Sequence, residues 1–361
     1  MASNGKRVGV IGVGFGALVH VPAFRAEGWE VTAICSRNEE RVAKAALELG
    51  VANTFTDFHD LVASDEVDAV AVVTPPAAHF APVMAALEAG KPVLCEKPFA
   101  MNIREARTMR DAADERGLTG MVAHEFRLTA QRHYVKRLID EGYVGDVQSV
   151  VVECDFAMGG SGGPRPMTWQ ANAEDGGGTL GSLGSHYLDS LRWWAGEITG
   201  VSARFATVQA DRLDDDGNVV QADAEDTFSI QMTFANGALG TFSFTAAAPV
   251  GLGGRLTVMG SEGVLSTPQA GVNPRPDGVV LGANKGDKEL LALTIPAELM
   301  PPEGDYDGRV APFRLLVREF ARGIDEATSP APTFDDGVRV QQVLDAVRAS
   351  AAHGGWVPVT P

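Results

Sequence analysis

A chain of 361 residues is long enough for about two domains, each able to bury its own core. With 45% hydrophobic and 21% charged residues it has an ordinary globular composition. The net charge of −17 is spread along the chain, a surface that repels phosphate backbones and anionic lipid and argues against nucleic acid or membrane as a partner.

Lys6 and Arg7 ahead of the apolar run 8–19 imitate the start of a secretory signal, but His20, Pro22 and Arg25 follow instead of a clean cleavage site. The segment therefore reads as mature protein. Cys35, Cys95 and Cys154 are too far apart for a metal knuckle or a disulfide framework, and each lies in an apolar stretch. They read as small buried thiols, no metal site is expected, and a reducing cytoplasm fits.

From 7 to 123, short apolar runs alternate with amphipathic segments. Strands are expected at 7–11, 30–34, 51–55, 68–73, 92–95 and 118–123, apolar throughout as strands covered on both faces should be. Asn38 and Gly50 bracket one helix, and Asn102 with Glu105 opens another that ends at Gly117. This is the pattern of a doubly wound α/β (Rossmann) domain spanning 1–125. Beyond it, one helix near 128–141 leads into long alternating segments at 147–156, 201–208, 225–234, 238–247 and 255–260. Ala235-Asn236-Gly237 and Asp216-Gly217 mark turns, and helices return at 312–322 and 335–352. The expected second domain, 126–361, is α+β with an open, mostly antiparallel sheet. The glycine-rich stretch 159–163 reads as its loosest segment.

Gly12-Val13-Gly14-Phe15-Gly16-Ala17 ends the first strand and opens a helix, the setting in which a G-x-G-x-x-(G/A) turn holds a dinucleotide pyrophosphate. Gly12 would permit the tight turn, Gly14 the close approach of the ligand, and Ala17 the packing of helix on strand. Gly12, Gly14, Phe15 and Gly16 are the expected phosphate contacts. After the second strand, Ser36, Arg37 and Arg41 stand where NAD-binding chains carry an acid, so NADP is expected ahead of NAD.

Glu96-Lys97-Pro98 follows the fifth strand, at the carboxyl edge where a cofactor's reactive end lies. Together with Thr74-Pro75-Pro76, His79, the run Gly176-Gly177-Gly178 leading to Ser182 and His186, and the closing Asp336-Gly337-Val338-Arg339-Val340, it resembles the glucose–fructose oxidoreductase / inositol dehydrogenase / rhizopine catabolism (Gfo/Idh/MocA) family over essentially the whole chain. The resemblance implies NAD(P)-dependent oxidation or reduction of a sugar, sugar derivative or cyclitol. It makes Lys97 the proton-transfer group and His186 the second active-site group. It puts Glu96 near the nicotinamide ribose and Pro98 in a turn, often with a cis peptide, that aims the lysine. Thr74 and Pro75 would run along the cofactor with His79 nearby. It also implies a homo-oligomer, dimer or tetramer, formed through the second sheet.

The chemistry agrees. A secondary alcohol that gives up a hydride must also give up its hydroxyl proton, and a lysine accepts it only as the neutral amine, a form favoured by burial or a nearby positive charge. Trp169 and Gln170, just ahead of the glycine run, could stack on and hydrogen-bond a sugar. Arg127 at the domain junction is a further substrate candidate, or else half of an interdomain salt bridge. One departure stands out: many family members have an aspartate four residues before the histidine, where this chain has Ser182. Its loss leaves open a second reading, a catalytically silent NAD(P)-binding regulator, against which Lys97 argues.

Overall fold

The structure is a computed structural model and describes residues 5–159, 163–273, 278–300 and 308–360. Most of the glycine-rich stretch 159–163 lies outside the described residues. The first part of the chain runs β1 (Arg7–Ile11), α1 (Val21–Ala26), β2 (Glu30–Cys35), α2 (Glu39–Leu49), β3 (Asn53–Phe55), α3 (Phe58–Ala63), β4 (Ala69–Val72), α4 (Phe80–Glu88), β5 (Val93–Cys95), α5 (Ile103–Arg116) and β6 (Gly120–Val122). Its strands form one sheet in the order β3-β2-β1-β4-β5-β6, parallel throughout. The four residues of β4 are all buried, as a strand covered on both faces must be.

The helix punctuation is as expected. Asn38 Oδ1 accepts the Arg41 amide, Asn102 Oδ1 accepts the Glu105 amide, and Gly50 and Gly117 end their helices in left-handed conformations. The Glu105 carboxylate reaches back to the Met101 amide, one residue earlier than a strict capping box.

The chain continues with α6 (Ala130–Asp140), β7 (Val147–Asp155), β8 (Arg165–Pro166), α7 (Ser185–Ala195), β9 (Ile198–Ala206), β10 (Asp211–Leu213), β11 (Val219–Gln221), β12 (Thr227–Phe234), β13 (Leu239–Thr245), β14 (Gly253–Gly260), β15 (Gly263–Gln269), β16 (Val280–Asn284) and β17 (Leu291–Leu293). It closes with α8 (Val310–Glu326), α9 (Phe334–His353) and β18 (Val357–Pro358). Nine strands form a sheet ordered β17-β16-β15-β14-β7-β13-β12-β9-β18, in which only the β7–β13 pair is parallel. β8, β10 and β11 make a separate three-stranded sheet. Strands β15 to β17 were not expected. Pro268 interrupts the first of these apolar runs, and the other two are too short to alternate clearly.

Two compact units result. One comprises residues up to Glu125 together with Pro302–Gln341, the other Phe126–Pro301 with Gln342–Pro361. The sequence reading kept everything after 125 in one second domain. Residues 308–341 belong instead to the first unit because α8 buries Phe313, Leu316, Val317 and Phe320, and its Arg314 pairs with Glu27 at 2.7 Å.

Candidate functional site

The first unit builds a dinucleotide turn at the carboxyl end of β1. Gly12 has φ +114°, and a Cβ there would lie 2.3 Å from the Val73 carbonyl oxygen, so only glycine fits. Its amide donates to the Cys35 carbonyl at 2.9 Å. Gly14 is exposed, and a Cβ on it would meet nothing within 4 Å, which leaves its backbone open to a ligand. The chain then enters a π-helical turn, Gly16–His20, continuous with α1. No side chain caps its start and no acid lies in its first turn. Uncapped N–H groups beside an open glycine suit a pyrophosphate. The close packing of helix on strand falls on Gly16, whose Cβ would lie 2.9 Å from Val10, and not on Ala17 as the motif suggested. The Phe15 ring lies edge-on to His20, with the Arg309 guanidinium 5.9 Å from its centroid.

Past β2, Ser36 is half-buried while Arg37 and Arg41 are exposed, and neither arginine forms a salt bridge among the described residues. The sequence reading found no carboxylate here. Pairing of β3 with β2 brings Asp57 and Asp60 near Cys35, where burial, with these two carboxylates adding to it, pushes the thiol up to about 11.

At the end of β5, the Glu96 amide donates to the Val72 carbonyl at 2.9 Å, extending the sheet by one residue. The Glu96 carboxylate turns inward. Oε1 lies 2.8 Å from His20 Nε2, and Oε2 accepts the Lys97 backbone N–H at 3.1 Å. Burial alone would raise this carboxyl, but the His20 bond and the Lys97 charge outweigh it and hold Glu96 below its ordinary range. Lys97 itself is half-buried, and the Lys97–Pro98 peptide is cis, as the resemblance suggested. His20 was missed because a histidine one helical turn past a glycine motif reads as packing.

Thr74 and Pro75 are half-buried, with the Thr74 hydroxyl donating to Ala78. His79 was expected beside the cofactor. Its ring is fully buried, with Nε2 2.7 Å from the Thr74 carbonyl and Nδ1 3.1 Å from that of Pro98. Burial lowers its pKa, and a neutral ring has one N–H, so it donates to only one of these carbonyls.

The second unit presents His186. The glycine run before it is sterically required: Cβ atoms at Gly177 and Gly178 would come within 2.5 Å of the Trp169 carbonyl and 2.3 Å of the Glu225 carboxylate, respectively. Glu225 accepts the Leu180 amide at 2.9 Å and so closes the start of the helical stretch carrying Ser182 and His186. Burial raises its pKa. Nothing in the sequence linked Glu225 to a turn so far back in the chain. His186 is buried and stacks flat on Phe126, centroids 3.9 Å apart and planes at 10°. The Arg132 guanidinium packs against both Phe126, at 4.8 Å, and Tyr187, at 4.6 Å. The buried Ser182 hydroxyl donates back to the Gly178 carbonyl at 2.7 Å.

Trp169 is half-buried and Gln170 exposed, on a short 3₁₀ turn. Arg127, read as a substrate candidate or half of an interdomain salt bridge, forms an ion pair within the second unit. Its Nε donates to Asp189 Oδ2 at 3.0 Å and its Nη2 to Oδ1, a buried two-pronged pair inside the second unit. No group of three or more metal-ligating side chains occurs among the described residues, and no described helix is long and apolar enough to cross a membrane.

A parallel Rossmann sheet with an open glycine turn, followed by a mixed-sheet α+β unit, defines a dinucleotide-binding protein. Residues 6–124 match the oxidoreductase family with NAD-binding Rossmann fold, and residues 133–266 match the GFO/IDH/MocA C-terminal domain. The chain belongs to the Gfo/Idh/MocA family and is an NAD(P)-dependent oxidoreductase. It is 30% identical to an uncharacterized oxidoreductase of Synechocystis over 98% of this chain and 95% of that one. It is 29% identical to levoglucosan dehydrogenase of Pseudarthrobacter phenanthrenivorans over 98% and 97%. The solved structure of levoglucosan dehydrogenase with NADH and levoglucosan superposes with a TM-score of 0.88 at 27% identity, covering 99% of this chain and 100% of that one.

Proposed function

We propose that this oxidoreductase acts on a secondary alcohol or the matching ketone of a sugar, sugar derivative or cyclitol, with Lys97 moving the proton. The observation that carries the reading is the placement of Lys97 directly after β5, its backbone N–H held by the buried Glu96 carboxylate. A bound nicotinamide supplies or accepts the hydride. Lys97 Nζ takes the hydroxyl proton as the alcohol is oxidised and returns it to the carbonyl oxygen in reduction. His186 of the second unit, stacked on Phe126, is the second group this reading assigns to the reaction. Trp169 and Gln170 offer a ring face and an amide to the sugar, and Ser182 a hydroxyl oxygen. Levoglucosan dehydrogenase and 1,5-anhydro-D-fructose reductase among the relatives support a sugar substrate.

Arg37 and Arg41, exposed and without ion-pair partners among the described residues, favour the 2′-phosphate of NADP over NAD. Asp57 and Asp60 moderate that preference. The uncovered positions of β12 and β13, among them Gln231, Leu239 and Thr241, are the surface through which copies of the chain would associate, and sedimentation would give their number. The function is tested by incubating the protein with NADP or NAD and a panel of sugars and cyclitols while following nicotinamide absorbance. Turnover of at least one of these, faster with NADP, supports the reading; no turnover with either cofactor removes it.

A further inference from the structure

Two arginines of the second unit stand side by side without a carboxylate to pair with. β8 lies parallel to β10 with Arg165 directly opposite Arg212, so both side chains project from the same face. Arg212 is only 5% exposed. Its Nη1 donates to the carbonyls of Asp211, at 3.0 Å, and Gln209. Arg165 gives Nη1 to the Met158 carbonyl at 3.1 Å, while its buried Nε has no acceptor among the described residues. Burial and the Arg165 charge both pull the Arg212 pKa down.

The acids nearby are otherwise engaged. Asp226, the carboxylate that acts on Arg212, accepts the amides of Val208 at 2.9 Å and Gln209 at 2.7 Å and the Thr227 hydroxyl at 3.0 Å. Asp211 takes the Gln221 amide group at 2.8 Å, and Asp214 caps its own turn. Like charges directly across a strand pair destabilise it, and a buried guanidinium is tolerated when an anion meets it. The pair also adjoins a substrate candidate. The Met167 amide continues the strand pairing to Leu213, and Trp169 and Gln170 follow within three residues.

We propose that Arg165 and Arg212 form an anion site, and that the sugar handled by this enzyme carries a carboxylate or a phosphate held there. Guanidinium forks match both groups by paired charge-assisted hydrogen bonds. The proposal rests on the sugar reading above and adds a charge requirement to it.

The test compares glucose, glucuronate and glucose 6-phosphate as substrates of the full chain with NADP, for the wild type and for R165Q, R212Q and R212K. At least one anionic sugar is expected to exceed glucose in kcat/KM by about tenfold or more, with that ratio falling about tenfold in each glutamine variant. Which of the two is favoured separates a carboxylate from a phosphate requirement. R212K keeps the charge but loses the fork, so it should fall between the wild type and R212Q. Equal ratios in the wild type and the variants would overturn the anion site and leave the sugar reading standing. If none of the three sugars turns over, calorimetry of the NADP-saturated protein decides, with glucuronate and inorganic phosphate as probes. Saturable binding that R165Q and R212Q lose supports the site; binding that they retain, or no binding to the wild type, overturns it.

Discussion

His20 Nε2 sits 2.8 Å from Glu96 Oε1, with the histidine fully buried and the glutamate nearly so. One residue comes from the helical turn that follows the glycine turn, the other from the end of β5, so a single contact ties these two parts of the first unit together. Because Glu96 is held below its ordinary value of 4.5, it contributes stability that is fully present above that pH and is lost as pH falls through its lower folded value. Glu96→Gln should therefore narrow the loss of thermal stability between pH 7 and pH values below about 4.5. Melting curves of both proteins across that range measure it, and identical acid slopes would refute the pairing.

The glycine turn separates structure from binding. Gly12→Ala forces a Cβ against the Val73 carbonyl at a positive φ and should lower the melting temperature as well as cofactor affinity. Gly14→Ala meets nothing in the protein, so it should leave the melting temperature within a degree or two, roughly, and weaken cofactor binding alone. Thermal melts with and without NADP distinguish the two. A Gly14→Ala protein that bound normally would show that the pyrophosphate does not approach there.

How much of this was legible beforehand depended on the range of each interaction. The six parallel strands, the caps at Asn38 and Gly50 and the dinucleotide turn are local patterns, and they fall where the sequence put them to within a few residues. The partnerships that required the fold were not legible. His20 meets Glu96 across 76 positions, Glu225 reaches Leu180 across 45, and Asp57 nears Cys35 only because β3 pairs with β2. His79 and Arg127 show the same limit: a polar residue near a site looks the same in sequence whether it faces a ligand or the protein. Only the fold supplies their Thr74, Pro98 and Asp189 partners.

The Arg127–Asp189 pair is buried and two-pronged, so removing one partner strands a charge. Asp189→Asn should cost about 3–5 kcal/mol of stability. Denaturant unfolding gives the number, and a cost below about 1 kcal/mol would mark the pair as no stronger than a surface contact.

All three cysteines are buried, and none is paired in a disulfide. Burial raises Cys154 to about 11, like Cys35, and lifts Cys95 well above the ordinary thiol range. None should react with a thiol-specific disulfide reagent at neutral pH until the protein unfolds. Rapid labelling of the native protein would contradict the buried placement of at least one of them.

The role of Lys97 is tested most directly by single-turnover hydride transfer in Lys97→Ala, with NADP affinity titrated in parallel. Loss of the proton-transfer group should slow the chemical step by about 10²–10⁴-fold while cofactor affinity stays within a few-fold of the wild type. A Lys97→Ala enzyme that transferred hydride at close to the wild-type rate would contradict the assignment.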